Sequence, residues 1–370
     1  MEPVEIKPLR FVIIGVGAGV FSMHFPAVKQ PIVDLVGVCD IREETGQQRA
    51  EMLGVPFYSD YRVMLSELKP DVAVIITPHY NHAEIAIACL QAGCNVLVEK
   101  PMALEVAEAD AMIEAAQASG KLLAINFQHR QRPEVHAARK LIQEGRLGKL
   151  QRINMVTPWP RSAAYYGQAS WRATWPGEGG GVLMNQAPHD LDLVCHLMGR
   201  PDAVVAWTRT MLHKIEVEDT ATALLSWDSG ATGYLHVSTA EAGPREEIEI
   251  VGTGGILKIG MGTLRFDEYD ADVAEFLATT PEVWAKPNAH PVEIALQEGK
   301  GDHPAVYRNF YAAVTEGVPI GADGESARMS LELANAIILS SKTRAEVRLP
   351  VDRAQYHELL AGLKAGRKPA

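Results

Sequence analysis

Four cysteines, Cys39, Cys89, Cys94 and Cys195, are all that this chain of 370 residues carries, and none forms a C-x-x-C pair or a Cys/His zinc spacing. No thiol redox centre and no metal site is therefore expected, and the thiols lying in apolar runs read as buried small hydrophobes. Also missing is any run near 20 apolar residues. Met1–Arg10 is mixed and Phe11–Val20 is interrupted by glycine, so neither a membrane span nor a signal peptide is expected. The prediction is a cytoplasmic protein. A basic excess is absent too: the formal net charge is −11, which argues against nucleic-acid and anionic-membrane partners. An anionic substrate stays open, because a site can be locally positive. No internal repeat or low-complexity segment breaks the chain. What remains is 47% hydrophobic and 22% charged residues, the balance of a globular protein with a real core, at a length that favours two domains.

The first 126 residues alternate short apolar runs with longer helical patterns. Leu9–Gly15, Val33–Asp40, Asp71–Thr77, Asn95–Glu99 and Lys121–Asn126 read as buried strands, rich in Val and Ile and bounded by Gly, Pro or Asp. Helices are expected near Phe21–Lys29, Glu43–Leu53, Tyr61–Leu68, Asn81–Gln91 and Val106–Ala118. Repeated β–α units with continuous apolar strands predict a doubly wound parallel sheet, whose ligand crevice opens at the carboxyl ends of the strands. After Asn126 the texture changes. A helical pattern at Val135–Glu144 leads to Lys149–Val156 and an irregular stretch rich in Trp, Tyr, Pro and Gly. Ala221–Trp227, Thr232–Thr239 and Glu246–Val251 then follow as strands without helices between them, which predicts a mostly antiparallel sheet. Two late helices, Ala305–Glu316 and Glu325–Lys342, are expected to cover one face of that sheet. The expected division is 1–126 for a dinucleotide-binding domain and 127–370 for an α+β substrate-binding and oligomerisation domain.

The run Phe11-Val-Ile-Ile-Gly15-Val-Gly17-Ala18-Gly19-Val20 is a strand entering a glycine-rich turn, with a helix pattern after it. Glycine lets the backbone approach a pyrophosphate, and a helix N-terminus supplies free N–H groups and positive dipole. The pattern departs from G-x-G-x-x-G, with Val20 in the sixth place and the third glycine one place early. Its context strengthens it: Asp40 closes the second strand 25 residues after Gly15, where a carboxylate accepts both hydroxyls of an adenosine ribose and repels a 2′-phosphate. NAD is thus expected over NADP, although Arg42 is placed to neutralise such a phosphate. A second cluster, Gly252-Thr-Gly254-Gly255, has no helix behind it and reads as a hairpin turn.

Two more strand ends should open into the same crevice. Thr77-Pro78-His79 closes one strand, with His82 entering the next helix, and Glu99-Lys100-Pro101 closes another. A lysine there can hydrogen-bond a substrate hydroxyl and a cofactor ribose, and its charge favours the ionised form of a nearby acid. Farther on, Gly179-Gly-Gly-Val-Leu-Met-Asn185-Gln-Ala187-Pro188-His189-Asp-Leu-Asp192 sets Asn185 and His189 four apart. Pro188 opposes a helix running straight through, and fits if the regular helix begins near Ala187. Histidine has a pKa suited to general base work near neutrality.

Taken together, the glycine turn at Gly15, Thr77-Pro78 with His82, Glu99-Lys100-Pro101, the approach to His189-Asp-Leu-Asp192, Gly145-Arg-Leu-Gly148 and Val347-Arg-Leu-Pro350 resemble the Gfo/Idh/MocA family of sugar and inositol oxidoreductases over nearly the whole chain. The resemblance implies a Rossmann domain followed by an α+β domain with an open sheet, and hydride transfer between a nicotinamide and a carbon of a sugar or cyclitol. Lys100 would orient the hydroxyl, with His189 as base in oxidation or acid in reduction. Asn185 stands where family members often carry Asp, and can bind substrate but not take its proton. Asp192 would either orient His189 or, three residues away on a helix, face a neighbouring strand. The implied cofactor set is Gly15, Gly17, Ala18, Gly19, Val20, Asp40, Arg42, Thr77, Pro78, His79, His82, Glu99 and Lys100. The substrate set is Lys100, Asn126, Trp171, Arg172, Trp175, Asn185 and His189. Trp159, Tyr165, Tyr166, Arg161 and the residues of Trp171–Trp175 lie in one polar–aromatic loop, suited to a pyranose face and its hydroxyls, with packing against the sheet or an oligomer contact as the alternatives. A helix-start role is expected for His303 in Gly301-Asp-His-Pro, with reach into the site as the alternative. Family analogy also implies a homodimer or homotetramer. The alternatives are a reductase or recycling oxidoreductase with tightly held NADP, and a non-catalytic dinucleotide sensor, which would need neither Lys100 nor His189.

Overall fold

The computed structural model describes residues 6–243 and 247–367; Met1–Glu5, Glu246 at the head of one expected strand, and the last three residues lie outside them. The chain divides into two compact units. The first comprises Met1–Gln131, Pro176–Gly179 and Gly301–Leu331, and the second Arg132–Trp175, Gly180–Lys300 and Glu332–Ala370.

In the first unit, β1 (Leu9–Ile14), β2 (Val33–Cys39), β3 (Phe57–Tyr58), β4 (Val72–Ile75), β5 (Asn95–Val98) and β6 (Leu123–Ile125) form one parallel sheet in the order β3-β2-β1-β4-β5-β6. This is the doubly wound arrangement. Every residue of β4, β5 and β6 is buried, as expected of continuous apolar runs covered on both faces. Full burial of side chains such as Phe11, Ile13, Val74 and Leu97 stabilises the unit by about 1.5–3 kcal/mol apiece. The strand order reverses on either side of β1, which makes the carboxyl ends of β1 and β4 the switch point where such sheets bind ligands. The two-residue strand β3 gave no periodic signal. All four cysteines are free and buried, and burial pushes the Cys39 thiol up to about 12.

One expectation is corrected here. The helix His303–Glu316 does not cover the antiparallel sheet but belongs to the first unit. Tyr307 stacks on Phe11 of β1 at 5.7 Å with the rings 10° from parallel, and Val306 and Phe310 join the same buried cluster. The apolar spacing of a helix shows which face is buried, but not which surface it is buried against.

In the second unit, β7 (Leu150–Pro158), β8 (Ala203–Arg209), β9 (Thr220–Ser226), β10 (Thr232–Ser238), β11 (Glu247–Gly252), β12 (Gly255–Gly260), β13 (Thr263–Tyr269), β14 (Ala289–Val292) and β15 (Val347–Arg348) form a nine-stranded sheet, ordered β14-β13-β12-β11-β7-β10-β9-β8-β15. All neighbours are antiparallel except β7 and β10. Gly252 pairs with Gly255 across the expected two-residue hairpin turn. Alternate residues face inward: Ala206, Leu225, Leu235, Met155 and Ile250 are buried, while Trp207, Leu224, Tyr234 and Val156 are exposed. Beyond its short pairing with β15, the edge of β8 is finished by side chains. Ser340 and Ser341, in the last turns of the helix Gly324–Thr343, accept the amides of Ala206 and Thr208 at 3.0 and 2.8 Å. Such capping disposes of edge groups that would otherwise template another strand. No helix among the described residues is long and apolar enough to cross a membrane.

Candidate active site

The glycine turn shows why its first residue carries no side chain. Gly15 has φ +99°, and a Cβ there would lie 2.8 Å from the backbone nitrogen of Thr77. The turn is thus pressed against the end of β4, in a backbone conformation that L side chains rarely adopt. Gly15 donates to the carbonyl of Cys39 at 2.7 Å, and the helix Phe21–Val28 follows, its Val20 N-cap making no side-chain cap bond. Asp40, 5% exposed at the end of β2, organises this corner. One carboxylate oxygen accepts the Gly17 amide at 2.6 Å, and the other accepts the Arg42 amide at 2.9 Å and the Arg42 Nε at 3.3 Å. Ala18 and Gly19 complete the turn, and nothing lies within 4 Å of where a Gly19 Cβ would point.

The ends of β4, β5 and β6 bring the next group together. His82 is fully buried, its ring nitrogens 2.8 Å from the carbonyl oxygens of Pro101 and Thr77, so it ties the ends of β4 and β5. Burial pushes its pKa down, against the opposing pull of those backbone bonds. His79 is buried beside it, the two rings 5.9 Å apart, in a single turn of 3-10 helix that follows Pro78. Thr77 Oγ1 and Asn126 Oδ1 are buried atoms without a hydrogen-bond partner. Such orphaned groups at strand ends are ones that a polar ligand satisfies. With the close-packed turn, the Asp40 carboxylate and the uncapped helix start, they fit a dinucleotide with a polar end group.

Glu99 is also buried, and both of its oxygens are engaged. Oε1 receives Nε2 of His24 at 3.0 Å, Nε2 of His303 at 3.2 Å and the Asn126 amide, while Oε2 accepts the backbone N–H of Lys100 at 3.2 Å. Burial by itself would raise the Glu99 pKa, but the hydrogen bonds donated by the two histidines outweigh it and hold the carboxyl well below its usual range. His24 is driven the other way, its pKa lowered by burial more than Glu99 restores it. With Nε2–H given to Glu99, the neutral His24 ring accepts the Tyr307 hydroxyl at Nδ1, 3.0 Å away. His303 does sit at the helix start, but Asp302 is the cap, accepting from Ala305 at 3.0 Å. His24 and Tyr307 were missed from sequence. The available signal was their spacing, since His24 shares a buried face with Phe21 and Ala27, and Tyr307 lies four residues after His303.

In the second unit, His189 is buried in the first turn of the helix Pro188–Met198, with Pro188 at its first position as expected. Asp192 is fully buried one turn later. Asn185 closes the single turn Val182–Asn185, and its Oδ1 accepts the Tyr165 hydroxyl at 3.2 Å. Tyr165 in turn accepts from Arg172 and from Gln186, both at 2.9 Å. The Arg172 guanidinium lies 4.8 Å from the ring centres of Tyr165 and Trp171, and Arg161 covers Tyr165 at 5.1 Å and Trp159 at 5.3 Å. Trp175 is 6% exposed, with the Lys342 ammonium 5.3 Å from its ring centre. Glu218, not foreseen, holds the glycine approach: Oε1 accepts the amides of Gly181 and Leu183 at 2.8 and 3.2 Å, and its carbonyl accepts that of Val182. A Cβ on Gly181 would collide with that carbonyl, so this glycine serves close packing. Burial pushes Glu218 up to about 6, its amide bonds offsetting part of the rise.

Comparison with known proteins bears on both units. Residues 9–127 match the family model described as "Oxidoreductase family, NAD-binding Rossmann fold", and residues 135–258 match the "GFO/IDH/MocA C-terminal domain". The D-glucoside 3-dehydrogenase of Escherichia coli is 32% identical over 227 residues, which are 60% of this chain and 63% of that protein. The myo-inositol 2-dehydrogenase of Thermotoga maritima is 24% identical over 92% of this chain and 98% of its own. Among solved structures, the WlbA dehydrogenase of Chromobacterium violaceum in complex with NADH and UDP-GlcNAcA superimposes with a TM-score of 0.80 at 29% identity, covering 95% of this chain and 99% of that one.

Proposed function

The chain belongs to the Gfo/Idh/MocA family and is an NAD-dependent dehydrogenase, and from that premise we propose that it oxidises a secondary alcohol of a sugar, cyclitol or sugar derivative, with Lys100 and His189 handling the proton. The observation that carries this reading is the set of side chains at the carboxyl ends of the parallel strands: Asp40 bonded into the glycine turn, and Lys100 directly after a carboxylate fixed from both sides. Bound NAD supplies the hydride acceptor. Lys100 donates to the reacting hydroxyl and lowers its pKa, and His189 takes the proton as base. Asn185 holds a hydroxyl by hydrogen bonds without taking its proton. Trp171, Trp175 and Arg172 contribute ring faces and donors to a sugar-like substrate, together with Asn126. Gly15, Gly17, Ala18, Gly19, Val20, Asp40, Arg42, Thr77, Pro78, His79, His82 and Glu99 form or support the cofactor side.

Residues 1–126 are assigned to cofactor binding, and 127–370 to substrate binding and oligomerisation. The exposed side chains Trp207, Leu224, Tyr234 and Val156 on the outward face of the second unit's sheet support a homodimer or homotetramer, and four buried free thiols accord with a cytoplasmic site. The test is NADH formation, followed by absorbance, with aldoses, cyclitols, anhydrosugars and sugar acids, each with NAD or NADP. Turnover with NAD that His189→Ala abolishes supports the reading and identifies the substrate class. No turnover across the panel, with NADH binding intact, counts against it and for a sensor or a reductase.

A further inference from the structure

We infer that Glu99, held by His24, His303 and Asn126, is a positioning residue that fixes Lys100 for the proton-handling step; the inference rests on the role proposed above for Lys100.

The carboxylate has little freedom left. Three donors from three separate elements converge on Oε1: His24 from the helix that follows the glycine turn, His303 from the late helix, and Asn126 from the end of β6. Each donor is itself held. Tyr307 bonds the other nitrogen of His24, the His24 and His303 rings meet edge to face at 4.5 Å, and the backbone N–H of Asn126 donates to the Val98 carbonyl of β5 at 2.8 Å, which fixes the residue whose side chain reaches Glu99. The remaining oxygen accepts the backbone N–H of Lys100. Lys100 is therefore anchored at its own peptide nitrogen, next to a strand end that cannot shift without breaking this set.

Stability does not explain such an arrangement. Burying a carboxylate costs several kcal/mol even when it is paired, and well-packed apolar residues of similar volume are often as stable or more so. What a fully engaged buried network provides is a unique geometry. Lysine needs that more than most residues, because its flexible stem places the ammonium poorly unless the backbone beneath it is fixed.

The same three groups, two imidazoles and a carboxylate with ligand atoms within 4.8 Å of one another, are also a donor set for a divalent cation. The hydrogen-bond reading is preferred because both Nε2 atoms already address one oxygen at 3.0 and 3.2 Å, along with the Asn126 amide. A nitrogen that donates its N–H to that oxygen has no lone pair left for a metal.

The test compares His303→Ala, His303→Gln and Glu99→Gln with the unaltered full-length protein. Expected for His303→Ala are NADH affinity and substrate KM within about threefold of the parent, and for both His303→Ala and Glu99→Gln a kcat lowered about tenfold or more per NADH-binding site. His303→Gln keeps an N–H donor and should recover most of the loss. Without any substrate, the reductive methylation rate of Lys100, resolved by mass spectrometry, should change about threefold or more relative to Lys29 and Lys121 in the same samples, as the anchor is released. Should His303→Ala fail to fold, Tyr307→Phe removes only the hydroxyl that steadies His24 and carries the same comparison with a smaller loss. Unchanged kcat, failure of His303→Gln to rescue, or unchanged Lys100 labelling would overturn the inference. So would a stoichiometric metal in the purified protein whose removal reproduces the His303→Ala phenotype. Absence of turnover in the unaltered protein bears on the proposed function instead, and the labelling result then decides the inference alone.

Discussion

Replacing Asp40 by alanine tests the cofactor corner directly. Asp40 is nearly buried and already accepts the amides of Gly17 and Arg42 together with the Arg42 side chain. A bound adenosine ribose adds two hydroxyl donors to that carboxylate, and hydrogen bonds to a charged group contribute about 1.5–3 kcal/mol each. One of them competes with the Arg42 Nε contact. The side chain of Arg42 is 58% exposed, and an ion pair so open to water is worth about 1 kcal/mol at most. The net loss on removing Asp40 is then about 2–5 kcal/mol, or from about 30-fold to several thousandfold in the NADH dissociation constant. NADPH should move the opposite way. The variant no longer repels its 2′-phosphate, and Arg42 becomes free to pair with it, so the preference between the two cofactors narrows by about two orders of magnitude. The assay is titration of the protein with NADH and with NADPH at one fixed ionic strength, followed by cofactor fluorescence, with a melting curve to show that the turn still folds. An Asp40→Ala protein that melts normally, binds NADH within about twofold of the parent and still rejects NADPH would refute the reasoning.

Three further outcomes are expected. Lys100→Met and His189→Ala should each lower kcat by about 10²- to 10⁴-fold while circular dichroism and NADH binding stay near those of the parent. Glu218→Gln should stabilise the protein in mild alkali. An acid whose folded pKa is raised above its unfolded value costs stability while ionised, and that cost disappears as pH falls from about 6 through 4.5. The variant should therefore exceed the parent by on the order of 2 kcal/mol at pH 8, with the difference gone near pH 4.5, as read from paired denaturant titrations; a variant less stable at pH 8 would show that the clamp on Gly181 and Leu183 depends on the charge. Leu224→Glu on the outward face of the sheet should lower the mass seen by light scattering to that of the monomer, whereas an unchanged oligomer would move the contact elsewhere.

Much of this fold follows from patterns local to the chain. Strand and helix limits in the first unit fall within a residue or two of the apolar runs, because continuous Val and Ile segments between turn residues suit little but a doubly covered parallel strand. Gly15 and Asp40 were legible for the same reason, since a turn and a strand end are each set by a few neighbours. Pro188 marked the helix start through its missing N–H. Short or weakly alternating pieces escaped notice, among them β3, β14 and β15, which are held by pairing rather than by propensity.

Tertiary structure alone decided the rest. No local signal joins His24 to Glu99 across 75 residues, or His303 to Glu99 across 204. Their spacing shows only that each ring is turned inward. The parallel pairing of β7 with β10 and the attachment of the late helix to the first unit are of the same kind. An amphipathic face is written into the sequence because its period is that of the helix itself, whereas the surface that covers it is chosen only when distant segments meet and bury each other.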